Sequence, residues 1–199
     1  MTVRQFILKL IYPLLMWYSS KKEGRKKILR NRDNITPPQP FYSLSAPLNN
    51  NSNLPFDSLK GKKVLLVNTA SDCGYTSQYD DLQKLFERNK DTLTIIAFPA
   101  NDFKEQETGN DAEIAQFCRV NFGVTFPLAK KSSVIGDNTN PVFKWLSDKN
   151  KNGWNSKQPS WNFSKYLVNE QGVLTHYFGP AISPLSNEMT DAITNKFQL

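Results

Sequence analysis

One stretch, Lys62 to Thr76, constrains this chain more than any other, because an apolar run there meets a cysteine and then a helical pattern. Lys62-Lys63-Val64-Leu65-Leu66-Val67 follows Gly61 and is short, apolar and β-branched, which predicts a buried strand. Gly74 lets the backbone turn sharply. Beyond it Tyr79, Leu82, Leu85 and Phe86 recur at helical spacing, predicting a helix with Thr76 as its N-cap. Cys73 then stands just ahead of a helix start, where unpaired N–H groups favour a thiolate over a thiol. The same cysteine fits equally well as a small buried hydrophobe closing a strand.

The pattern around this junction predicts an α/β protein. Leu93 to Phe98 reads as a second strand ending at Pro99, and strand, helix, strand in that order implies a parallel βαβ unit with its reactive loops at the strand C-terminal ends. Asn110 caps a helix with Glu113 at the third position, Ile114, Phe117 and Cys118 share one face, and Gly123 closes it. Phe126-Pro127-Leu128 opens another extended piece, and Pro141 to Leu146 another helix. Trp161 to Asn169 and Val173 to Phe178 read as a hairpin around Glu170-Gln171-Gly172. Ser183-Pro184 starts a last helix through Phe197, proline being harmless at a first helical position. The order β-α-β-α-β-α-β-β-α predicts a central mixed sheet with helices on both faces.

Charge separates the chain into parts. Residues 1–33 hold nine Lys and Arg against two acids, so they carry the whole net charge of +7, and the rest is neutral. That argues against a nucleic-acid-binding fold, which needs a basic face on the domain itself. Residues 6–18 form an apolar run broken by Lys9 and Pro13, too short to span a membrane comfortably. Val3, Phe6, Ile7, Leu10, Ile11, Leu14 and Leu15 recur at three and four, and Trp17-Tyr18 precede seven basic residues, as in an interfacial anchor. Residues 1–33 are therefore read as a basic, apolar extension making peripheral contact with the inner face of a membrane, which places the protein in the cytoplasm. Export with residues 1–18 as a signal-anchor is the competing reading, and a helix packed on the domain a third. Residues 34–56, with Pro37, Pro38, Pro40, Pro47 and Asn49 to Asn51, read as an extended linker, and 57–199 as the globular domain. Two cysteines and a single histidine, His176, are too few for a zinc site or a Cys-His catalytic pair, so no metal or cofactor is expected.

The stretch Val67-Asn68-Thr69-Ala70-Ser71-Asp72-Cys73-Gly74-Tyr75-Thr76 resembles the peroxidatic motif of the glutathione peroxidase family in its cysteine form. The resemblance continues in order through Phe98-Pro99-Ala100-Asn101-Asp102-Phe103-Lys104-Glu105-Gln106-Glu107, through Glu113-Ile114 to Phe126-Pro127, and through Trp161-Asn162-Phe163-Ser164-Lys165-Tyr166-Leu167, covering about residues 57–199. It implies a thioredoxin-like fold that reduces hydrogen peroxide and organic or lipid hydroperoxides. Cys73 matches the peroxidatic position, and Gln106, Trp161 and Asn162 the other members of the family's tetrad, all able to donate hydrogen bonds without titrating. Cys118 resembles the resolving cysteine of the two-cysteine branch, whose members generally take electrons from thioredoxin rather than glutathione. Its alternative is a small buried hydrophobe beside Phe117. The short segment from Leu146 to Trp161 resembles members lacking a tetramer-forming insertion, implying monomer or dimer. The chain departs from the pattern at Ala100 (often cysteine), Lys104 (a common glycine) and Thr108 (a common proline), and Asp72, Glu105 and Glu107 bring negative charge near the site. The competing functions are a peroxide-sensing redox relay, a thioredoxin-like thiol-disulfide oxidoreductase, which normally needs a second cysteine where Thr76 stands, and a metal chaperone of the same fold.

Overall fold

The computed structural model describes residues 27–194, and the readings made for residues 1–26 and for the last helix beyond Thr194 lie outside the described residues. In chain order the elements are β1 (Ile28–Arg30), β2 (Ser45–Pro47), β3 (Asn53–Pro55), β4 (Lys63–Thr69), α1 (Gln78–Asn89), β5 (Leu93–Pro99), α2 (Asp111–Phe122), α3 (Pro141–Leu146), α4 (Lys149–Asn152), β6 (Lys165–Val168), β7 (Leu174–Phe178) and α5 (Asn187–Thr194). Five strands form one mixed sheet in the order β1-β7-β6-β4-β5, with β4 and β5 parallel and the other neighbours antiparallel. The expected parallel βαβ unit and the hairpin across Glu170 to Gly172 are both present.

Every residue of β4 is buried, because helices cover both faces of the sheet. Alternation along the strand sends Val64 and Leu66 to one side and Leu65 and Val67 to the other. On the Leu65 side lie Tyr79, Leu82 and Leu85 of α1, Ile114 and Cys118 of α2, and Met189 and Ile193 of α5. On the Val64 side lie Val142, Phe143 and Trp145 of α3 together with Phe41 and Phe56.

Phe41 and Phe56 correct the domain boundaries. Residues 34–56 are not a linker, and Ile28–Arg30 and Phe41 already belong to the sheet and core that were expected to start at residue 57. β1 pairs with β7, so that Ile28 lies opposite Phe178 and Arg30 opposite His176. Phe41 is fully buried, its ring 4.9 Å from that of Phe56 and 5.3 Å from that of Trp145. The asparagine run forms the turn of a β2–β3 hairpin, with Asn51 in the left-handed region at φ +68°. The prolines here set an extended path over the core instead of a solvated spacer.

Three smaller differences concern the last helix, the Phe126 to Leu128 piece and α4. Asn110 caps α2 in a full capping box and Gly123 ends it in the left-handed conformation, as expected. The last helix starts at Asn187, because the Ser183 hydroxyl accepts from Leu185 N and donates to Asp81, holding Ser183 to Ser186 in a turn. Phe126 to Leu128 contributes a single bridge from Leu128 to Ala97 instead of a strand, and α4 had no apolar periodicity to announce it.

Candidate active site

β4 delivers the chain to Cys73 at its C-terminal end, and Thr76 folds the turn that follows. The Thr76 hydroxyl donates to Ala70 O at 2.9 Å and accepts from Cys73 N at 3.0 Å, while Thr76 N–H donates to Cys73 O at 3.0 Å. Thr76 is therefore not the helix cap expected of it. Tight i to i+3 bonds carry the chain from Tyr75 to Asp80, and α1 begins at Gln78 with no side-chain cap. Cys73 is 8% exposed, and Tyr75 N–H points at its sulfur from 3.5 Å.

Two further loops close on this turn. Lys104 and Glu105 both adopt left-handed backbone, at φ +53° and +51°, so the turn survives a lysine at the position where the family commonly has glycine. It carries Gln106 back to the cysteine turn, where Gln106 O accepts from Asp72 N at 3.0 Å, and Asn101 Oδ1 secures the next amide, Glu107 N, at 2.8 Å. From the other side Asn162 Nδ2 donates to Gln106 Oε1 at 3.0 Å, which leaves the Gln106 amide nitrogen as its remaining donor. Trp161 packs on Phe103 with ring centroids 5.5 Å apart, and Lys104 Nζ lies 5.8 Å from its ring. Cys73, Gln106, Trp161 and Asn162 thus lie on three loops that hydrogen bonds and ring packing draw together at one end of the sheet. Among the described residues no three His, Cys, Asp or Glu side chains converge as a metal site.

Cys118 lies on α2, outside those three loops. It is fully buried on the inner face of α2, where only it and Ile114 are buried, while Val120 one half-turn on is 71% exposed. Its thiol is raised to about 11, by burial first and then by the charge of Glu107, against the opposing effect of the nearby Tyr79 hydroxyl. The two cysteines are not bonded to one another in the structure.

Two residues do more at the site than the sequence reading gives them. Asn68, fully buried at the end of β4, ties the cysteine strand to the Trp161 turn. Its Nδ2 donates to Trp161 O at 3.1 Å and its Oδ1 accepts from Ser164 N at 3.1 Å. Its carbonyl accepts from Phe163 N, a residue at φ +65° that a bulky side chain rarely adopts. The one signal for it was an amide ending an otherwise apolar strand. An Asn68→Leu variant strands those buried groups and should lose about 2–4 kcal/mol of stability in denaturant unfolding, with lower peroxide turnover as the Trp161–Asn162 turn loses its register.

Glu107 is the second. Asp72 and Glu105 are exposed, but Glu107 is buried, with Ser71 Oγ donating to it at 3.0 Å, and burial raises its carboxyl from 4.5 to about 7 despite that bond and Lys131. His176, buried on β7 and stacked on Phe178, is lowered from 6.5 to about 4 by burial and then by Arg30. The two act on stability with opposite signs. Glu107 is neutral in the fold and charged in the open chain between 4.5 and 7, so it costs stability as pH rises through that window. His176 is neutral in the fold and charged in the open chain between about 4 and 6.5, so it costs stability as pH falls through that one. Each effect is about 3 kcal/mol and they oppose one another across their overlap. Glu107→Gln should unmask the histidine: its unfolding free energy should rise by about 2–3 kcal/mol from pH 4.5 to 6.5, against a nearly flat wild-type profile. Equal slopes for the two proteins would refute this balance.

The glutathione peroxidase family model matches residues 41–147. Glutathione peroxidase-like peroxiredoxin HYR1 of Saccharomyces cerevisiae is 46% identical over 147 residues, spanning 73% of this chain and 90% of that protein. The chain belongs to the glutathione peroxidase family. A crystal structure described as Trgpx in apo form matches with a TM-score of 0.60 at 30% identity, covering 79% of this chain and 97% of that one. A thioredoxin-family thiol:disulfide interchange protein from Chlorobium tepidum matches at 14% identity with a TM-score of 0.55, covering 81% and 97%, and this likeness marks the fold as thioredoxin-like. As a glutathione peroxidase family member the chain has its matched segment starting at Phe41, within the stretch first read as a linker.

Proposed function

We propose that this glutathione peroxidase family member is a thiol peroxidase whose attacking atom is Cys73 Sγ, and that it takes its electrons from thioredoxin. The observation that carries the reading is the closure of three loops on one cysteine turn: Tyr75 N–H aimed at the Cys73 sulfur, Gln106 O accepting from Asp72 N, and Asn162 bonded to the Gln106 side chain. An N–H donated to sulfur is worth more to a thiolate than to a thiol. The thiolate attacks one oxygen of the hydroperoxide, the O–O bond breaks, and the sulfur becomes a sulfenic acid while the departing oxygen takes a proton and leaves as water or alcohol. Gln106, the indole of Trp161 and Asn162 serve as donors to the charge that moves from sulfur to oxygen, without adding a titrating group.

Cys118 then resolves. Its sulfur displaces the hydroxyl from Cys73, forming the S–S bond and releasing water, and a thioredoxin dithiol returns both cysteines to thiols. The buried thiol must leave its pocket on α2, so the C-terminal half of that helix unravels locally, giving up the packing of Phe117 and Phe122 along with that of Cys118. The chain works as a monomer or dimer. The test is peroxide-dependent NADPH consumption, with thioredoxin and its reductase or with glutathione and its reductase as donor. Turnover with the first system and little with the second is expected, and turnover with neither would refute the assignment.

A further inference from the structure

Lys104 stands on strained backbone and reaches a residue of the candidate site. It and Glu105 both hold left-handed backbone, at φ +53° and +51°, where side chains other than glycine are uncommon. Glycine, common in the family at the position of Lys104, would occupy this bend without strain. Strain of this kind clusters where a site needs a particular geometry. Here the geometry is that of Trp161: Lys104 Nζ lies 5.8 Å from the centroid of its ring, and the preceding residue, Phe103, packs on the same ring with centroids 5.5 Å apart and planes at 44°.

The strain and the contact are connected. In extended backbone successive side chains leave on opposite sides, so Phe103 and Lys104 would face away from each other. The left-handed bend puts both on one ring instead, an apolar side chain and a cation together. The backbone of Trp161 is already held, because its carbonyl accepts from Asn68 Nδ2 at 3.1 Å and from Ser164 Oγ at 2.9 Å. Its ring lies against both hydrophobic clusters, half-buried, with Nε1 shielded from solvent. What remains to be fixed is the orientation of that ring, and Phe103 and Lys104 are the pair that holds it from the neighbouring loop.

We propose that Lys104 is a positioning residue for the peroxide step: with Phe103 it clamps the Trp161 indole so that Nε1 stays turned inward, and its ammonium draws electron density from the ring and makes that N–H a better donor. The proposal rests on the reading of Trp161 as a donor to the charge that moves from sulfur to oxygen. No bond or proton transfer is added to the chemistry. A cation over an indole at an exposed position is worth a factor of about two to five. Lys104 therefore tunes the first step in a way that a chain with glycine at this position does not share.

The test is the second-order rate of that first step, followed as consumption of one equivalent of hydrogen peroxide by the reduced full chain with no electron donor present. Lys104→Met keeps most of the stem and loses the charge, and should slow the step about two- to fivefold. Lys104→Gly loses both and should slow it at least as much, yet its denaturant midpoint should not fall below that of wild type, because glycine relaxes the bend. Lys104→Arg keeps a cation that stacks on aromatic faces and should stay within about twofold of wild type. The decisive comparison repeats Lys104→Met in a Trp161→Phe chain, which is slower at the outset for want of the indole N–H. With no N–H left to aim or polarise, loss of the lysine should change that rate by less than about 1.5-fold. A lysine that only supports the loop would give the same loss in both backgrounds. That result, or a Lys104→Gly chain as fast as wild type, would overturn the role of Lys104. A Trp161→Phe chain with the full wild-type rate would overturn the reading of Trp161 instead, and failure of the wild type to consume peroxide would overturn that of Cys73.

Discussion

Cys73→Ser is expected to abolish hydroperoxide reduction, with turnover falling on the order of a thousandfold or more, whichever donor is supplied. A serine hydroxyl is not ionised near neutral pH and is a poor nucleophile toward a peroxide oxygen. The substitution is nearly isosteric, and the bonds that shape the turn use the Cys73 backbone and the Thr76 side chain, so they survive it. Unfolding free energy should therefore stay within about 1 kcal/mol of wild type, and circular dichroism with denaturant titration checks that the lost activity is not lost fold. Substantial activity remaining in Cys73→Ser would place the chemistry elsewhere.

Cys118→Ser should separate the two halves of the cycle. Oxidation of Cys73 does not need the second thiol, so the variant should still consume one equivalent of hydroperoxide and then stop, with Cys73 held as a sulfenic acid that dimedone traps. Thioredoxin-coupled turnover should drop to background, and unchanged turnover would sink the resolving role. Cys118 is fully buried among apolar neighbours, so a serine there buries a hydroxyl at a cost of about 1–3 kcal/mol. Cys118→Ala avoids that cost and should show the same single turnover.

The sequence made the centre of the fold legible and its edge illegible. β4, α1, β5 and α2 have long apolar runs or a complete capping box, signals that are local and redundant. β1 is three residues long, and its partner β7 lies at the far end of the chain, so only the folded sheet gives those residues a strand identity. Phe41 and Phe56 sit singly among prolines, where no period marks them, yet both are core residues. In the site, Cys73 could be read from its strand-to-helix setting. Gln106, Trp161 and Asn162 carry no periodic signal and are named only from the family resemblance, because what brings their loops together is backbone at positive φ and the Asn162–Gln106 bond. Asn68 has no role in the sequence and Glu107 reads there only as a charge near the site, for a related reason: a buried amide and a buried carboxyl look like solvated residues until their partners on distant loops are known. Thr76 misled because a hydroxyl suited to cap a helix also serves to fold a tight turn.

The most direct test of the Cys73 to Cys118 cycle is to treat the reduced wild-type chain with one equivalent of hydroperoxide, block remaining thiols, and map the cysteines by mass spectrometry. The expected product is lighter by two hydrogens, with the peptides of Cys73 and Cys118 linked and no blocked thiol on either. Recovery of Cys73 as a blocked thiol with the peroxide unconsumed would contradict it.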